Sequence, residues 1–106
     1  MSYDIYLEVD TGGEEPVEVW SRNHTSNTAS MWVAAGCDLA LYDGKSAEEL
    51  GDAITTAVRE MRANPGKYRE YDSPNGWGTY STTLLFLREI REACIEHPKT
   101  TVRVSR

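Results

Sequence analysis

Residues 3–22 read YDIYLEVDTGGEEPVEVWSR, and the fold turns on this stretch. Tyr3, Ile5, Leu7 and Val9 alternate with Asp4, Tyr6, Glu8 and Asp10. A period of two in β-branched and aromatic residues marks a strand with one buried face. Thr11-Gly12-Gly13-Glu14-Glu15-Pro16 reads as a turn, because paired glycines admit positive φ and Pro16 sets the exit. Val17-Glu18-Val19-Trp20-Ser21-Arg22 alternates again, which predicts a hairpin with a loop longer than the two-residue minimum. A hairpin does not bury its apolar face alone, so the rest of the chain must cover it.

The cover is written further along. Ser46-Ala47-Glu48-Glu49 has the capping-box form and opens a helix with Leu50, Ile54, Ala57, Val58 and Met61 on one stripe. Asn64-Pro65-Gly66 ends it, and residues 67–71 add a further turn of helix. A second long helix is predicted over 79–96, with Tyr80, Leu84, Leu87, Ile90 or Arg91, and Cys94 along one side, stopped by His97-Pro98. A short helix is expected from Ala29 to Ala35, with Gly36 as its stop. Thr101-Val102-Arg103-Val104-Ser105 alternates as a closing strand. The economical arrangement is an α+β fold: a three-stranded antiparallel or mixed sheet, made of the hairpin and the C-terminal strand, covered on one face by two long helices. The first strand is the expected neighbour of the last.

With 106 residues the chain fits one α+β domain over 1–106, and 40% hydrophobic with 26% charged residues excludes a disordered composition. The net charge of -6 repels a phosphate backbone at long range, so general nucleic-acid binding is disfavoured, while a small anion held by local Arg or Lys is not. No polybasic run points to a membrane surface. Cys37 and Cys94 are too few for a secreted disulfide scaffold. The opening residues carry neither a basic region nor a long apolar stretch, which predicts a cytoplasmic protein with both thiols reduced.

Two polar segments stand out. Arg22-Asn23-His24-Thr25-Ser26-Asn27-Thr28 leaves a strand and enters a helix, where unpaired N–H groups suit anions and carbonyls, and Asn amides suit a base edge or a sugar. The plain alternative is a loop in which Ser26 or Thr28 caps the helix. In Pro74-Asn75-Gly76-Trp77-Gly78-Thr79-Tyr80, an indole lies between glycines that would let a flat partner approach. The alternative there is a Trp77 folded inward, with Thr79 capping the last helix. Both segments begin helices, so they are expected to converge on one surface. Cys37, Cys94, His97 and His24 make an incomplete metal set, and no metal or other cofactor is expected. No G-x-S-x-G, H-E-x-x-H or P-loop spacing occurs, and His24 beside Asp38, Asp43 or Asp72 has nothing to fix its geometry as a base.

Asn23-x-Thr25-x-Asn27, Met31, Asp43-Gly44-Lys45, Asn64-Pro65, Pro74-Asn75-Gly76-Trp77-Gly78-x-Tyr80, His97-Pro98 and Val102-x-Val104-Ser105 together resemble a family of small uncharacterised proteins encoded by phages, notably those of actinobacteria, and by some bacteria. The family brings no established activity and no catalytic residue. By analogy, small phage proteins act by binding, and many that sequester nucleotides are homo-oligomers. The resemblance therefore implies an anti-defence, sponge-like protein of the host cytoplasm that is non-enzymatic and holds a small polar, nucleotide-derived ligand. The ligand-binding residues expected are Arg22, Asn23, Thr25, Asn27, Asn75, Trp77 and Tyr80. A protein-interaction module that inhibits a host factor is the alternative, and a nucleotide- or sugar-acting enzyme the third reading.

Overall fold

Burial of Tyr3, Ile5 and Leu7 on one side, with Asp4, Tyr6 and Glu8 half-buried on the other, makes β1 (Ser2–Val9) the centre of the sheet. The computed structural model describes residues 2–76 and 78–106. β2 (Val17–Thr25) returns antiparallel to β1 and runs past the predicted end at Arg22. Asn23, His24 and Thr25 pair with Asp4, Tyr3 and Ser2, so ladder bonds to a waiting strand override the turn preference of these short polar residues.

The pairing passes from Leu7↔Trp20 to Glu8↔Glu18, which leaves Val19 as the unmatched residue of a β-bulge. Below the bulge, Trp20, Arg22 and His24 lie opposite Leu7, Ile5 and Tyr3, on the face that looks into the core. Beyond it, residues 9–19 are all exposed, so the hairpin tip projects past the helical layer.

β3 (Thr101–Ser105) pairs antiparallel with the other edge of β1, and the strand order is β2-β1-β3. Its outer edge is closed by the segment before the first long helix. Gly44 N donates to Val102 O at 2.8 Å, Val102 N to Lys45 O at 2.8 Å and Val104 N to Asp43 Oδ1 at 2.9 Å.

Two short helices, α1 (Ala29–Ala34) and a 3-10 turn over Leu39–Tyr42, carry Met31, Trp32 and Leu39 into the core. α2 (Ala47–Ala63) starts at Ser46, whose Oγ accepts from Glu49 N at 3.2 Å, and all five predicted stripe residues are buried. α3 (Pro65–Arg69) buries Tyr68, whose hydroxyl donates to Glu60. α4 (Tyr80–Glu96) is capped by Thr79, which exchanges bonds with Thr82 in a reciprocal capping box. The buried side of α4 is Tyr80, Thr83, Phe86, Leu87, Ile90, Ala93 and Cys94, while the expected Leu84 is half-buried.

α2 and α4 pack antiparallel, as three contacts along their length establish. A Cβ on Gly51 would lie 3.1 Å from Cys94 Cβ, Arg91 Nε donates to Thr55 Oγ1 at 2.9 Å, and Tyr80 Oη donates to Met61 O at 2.9 Å. The absent side chain at Gly51 sets the close approach at one end of the pair. Cys37 and Cys94 are free thiols in the core. Among the described residues no helix is long and apolar enough to cross a membrane.

Candidate functional site

The end of β2 and the loop before α4 meet, although they lie far apart in sequence. Gly76 N donates to Ser73 O and Ser73 N to Gly78 O, both at 3.0 Å, which holds Ser73 against Gly76 and Gly78. Gly78 has φ 105°, in the region that favours glycine, and its backbone lies against β2. A Cβ at this position would come within 2.7 Å of Thr25 Cγ2 and 3.0 Å of Thr28 Cγ2. The convergence therefore depends on a missing side chain. It leaves a pocket of about 330 Å³ lined by Arg22, His24, Thr25, Gly78, Thr82 and Leu85.

The structure divides the expected ligand residues. Arg22 and Thr25 line the pocket. Arg22 is not idle there: its Nε meets Glu89 Oε2 of α4 at 2.5 Å and its Nη1 donates to Asn23 O at 3.1 Å. Asn23 follows Arg22 in a strand and so occupies the opposite face, where its amide donates to Asp4 Oδ1 at 2.7 Å. Asn23 thus stands as a cross-strand partner on the far side of the sheet and is not among the residues that line the pocket. Tyr80 is likewise absent from the pocket lining. It is 7% exposed, its hydroxyl bonds the backbone of Met61, and its ring lies under the Arg69 guanidinium. Helical periodicity turns position 80 into the core, with Phe86, Leu87 and Ile90 further along. Asn27 is exposed on the 3-10 turn Ser26–Thr28, and its N–H donates to Thr25 Oγ1 at 3.2 Å. Asn75 is exposed and accepts from Ser73 Oγ at 2.5 Å. Neither is among the lining residues of the pocket. Trp77 lies outside the described residues.

Thr25 caps the 3-10 turn with its side chain. Thr28 stands at the N-cap position of α1, as one reading expected, but makes no side-chain cap bond there, and its Oγ1 turns inward to Thr83 Oγ1 at 2.6 Å. His24 Nε2 lies 3.2 Å from Thr83 Oγ1 and 3.4 Å from Thr28 Oγ1. The imidazole stacks on Phe86, with ring centroids 4.7 Å apart and planes 17° off parallel. Burial, and then the nearby Arg22 charge, hold its pKa below the ordinary value. At neutral pH the floor of the pocket is therefore an uncharged aromatic ring keyed to two hydroxyls. This triad also explains how Thr83 replaces a hydrophobe on the buried side of α4: its hydroxyl is satisfied where it is buried.

Sequence reasoning missed His24 as a wall residue, together with Thr82 and Leu85. The bulge at Val19 hid the first, because it decides which phase of β2 faces inward. Thr82 and Leu85 belong to the exposed flank of α4, and only the sheet's position shows that β2 runs beside it. No protein-family profile, curated protein or solved structure matches this chain.

Proposed function

We propose that the chain is a non-enzymatic binding protein for a small, flat, polar ligand of nucleotide-derived type, as the resemblance to the phage family suggests. The observation that carries this reading is the convergence at Gly78. Two separated polar segments meet through a glycine at which a side chain would clash, and a pocket lies beside that contact. At about 330 Å³ the pocket lies at the small end of the range for small-molecule sites, about 300–1,000 Å³. Its composition suits a planar group with limited charge: a neutral imidazole and Leu85 for the face, Thr25 and Thr82 hydroxyls for the edge, and the Arg22 guanidinium for an anionic substituent. The engagement of His24 Nε2 with two threonine hydroxyls, and its stacking on Phe86, argue for a fixed wall and against a catalytic base.

Mass spectrometry of small molecules released by denaturing the purified protein tests the proposal. A stoichiometric nucleotide-like species, absent from a Leu85→Asp variant of unchanged melting temperature, is the expected result. A protein that yields no small molecule, and whose Leu85→Asp variant instead loses a stoichiometric host protein, would replace this reading with the protein-interaction one.

A further inference from the structure

A second cavity, of about 190 Å³, lies between α2 and α4 and is lined by Thr55, Val58, Arg59, Arg62, Arg88 and Arg91. The sequence makes Arg59 and Arg62 look like a solvated helix face. The antiparallel packing changes that, because it sets this pair, three residues apart on α2, against an equivalent pair on α4. Four of the chain's 11 Lys and Arg residues thus border one small cavity in a protein of net charge -6.

The two carboxylates that fall between these arginines in sequence are engaged elsewhere. Glu60, between Arg59 and Arg62, is engaged with Tyr68, Lys67 and Asn64. Glu89, between Arg88 and Arg91, is turned to Arg22. Among the described residues, Arg59, Arg62, Arg88 and Arg91 have no carboxylate within ion-pair distance. Arg91 is oriented by Thr55, whose Oγ1 accepts its Nε–H at 2.9 Å and donates in turn to Gly51 O at 2.8 Å. One fork of the cluster is therefore held in place, and the nearly buried Val58 gives the cavity an apolar wall.

Like charges gathered around one cavity repel, and a multivalent oxyanion removes that repulsion. Guanidinium forks match phosphate oxygens in bidentate geometry. The volume is below that of drug-sized ligand sites, which suits a phosphate or diphosphate group rather than a whole nucleoside. An extended nucleic acid would meet the acidic remainder of the surface. We infer that the α2–α4 cavity is a binding site for a small, multiply charged phosphate oxyanion. It lies on the flank of α4 away from the β2 pocket, and it stands or falls separately from the function proposed for that pocket.

The test is an NMR titration of the intact chain with inorganic pyrophosphate, following the arginine Nε–Hε signals at ionic strength held constant with sodium chloride. Saturable shifts of Arg59, Arg62, Arg88 and Arg91 are expected. Arg59→Gln with Arg88→Gln should weaken binding about tenfold or more, as loss of charge-assisted bonds requires. Arg106→Gln should leave it unchanged. Both altered cavity positions are exposed, and removing like charge should not lower the melting temperature of the unliganded variant. If it does, Arg59→Lys with Arg88→Lys, which keeps the charge but not the fork, should show intermediate weakening. Adenosine diphosphate binding no tighter than pyrophosphate would identify a free oxyanion as the ligand, and tighter binding would identify the phosphate end of a larger molecule. Shifts that do not saturate, that chloride reproduces, or that survive the double substitution would overturn the inference.

Discussion

Replacing Gly78 by alanine tests the contact on which the candidate pocket is built. Two costs add. The residue would keep φ near 105°, which a side chain resists by about 1–3 kcal/mol. Its methyl group would also enter space held by Thr25 Cγ2 and Thr28 Cγ2, at 2.7 and 3.0 Å, and overpacking of this kind costs about 1–3 kcal/mol. The sum, about 2–6 kcal/mol, is large against the stability of a domain this size, about 5–15 kcal/mol, and at its upper end reaches the lower end of that range. The two parts separate. Thr25→Ser removes the nearer methyl and keeps the hydroxyl oxygen that accepts from Asn27 N. Placed in the Gly78→Ala background it should recover most of the steric part and none of the backbone part. Urea unfolding of the parent, both single variants and the double variant gives the coupling directly. A Gly78→Ala protein within about 0.5 kcal/mol of the parent, or one that Thr25→Ser fails to improve, would refute the reasoning, because coupling between touching residues should reach about 0.5 kcal/mol or more.

Glu89→Gln should cost less than about 1 kcal/mol, because the Arg22–Glu89 pair is more than a third exposed on both sides, and it should tighten binding of an anionic ligand by releasing Arg22; ligand titration beside a urea melt measures both effects. His24 should titrate below 6.5 by NMR. Its folded-state pKa is depressed, so its contribution is complete above the unfolded value near 6.5 and is lost as pH falls through the folded value; the parent should lose stability over that window by more than a His24→Gln variant does. Cys37 and Cys94 are both pushed up to about 12, chiefly by burial, so iodoacetamide at pH 8 should leave the native protein unmodified and alkylate both thiols once it is unfolded. Tyr80→Phe should destabilise by about 1 kcal/mol through the lost bond to Met61 and leave ligand affinity unchanged, which would separate a core tyrosine from a binding one.

The central and closing strands, the two long helices and their caps were legible because each is signalled by its own residues. Ile5 and Leu7 alternate, Ser46 precedes Glu49, and Leu50 to Met61 share a stripe. The lower half of β2 was not. Asn23 and Thr25 prefer turns when considered alone, and only their partners on β1 make them a strand. The pocket was legible as a meeting of two segments but not as a set of side chains. Strand alternation sends Asn23 to the far face and Arg22 and His24 to the near one, and the phase of that alternation is set by a bulge that no local residue announces. Tyr80 was legible as a neighbour of Gly78 in one motif but not as a core residue, because the helix it opens decides its direction.

The two edges of the sheet are unequal, and this bears on how copies of the chain could associate. The outer edge of β3 is occupied by residues 43–45 of its own chain, whereas among the described residues no strand pairs with the outer edge of the nine-residue β2. A sheet open on both sides adds copies without limit, which is the geometry of a fibre. A sheet open on one side adds a single copy, related by a two-fold axis, and the growing surface is then consumed. Glu14, Glu15 and Glu18 at the projecting tip set like charge near that edge, so even this closed pairing would be favoured by salt and opposed in dilute buffer.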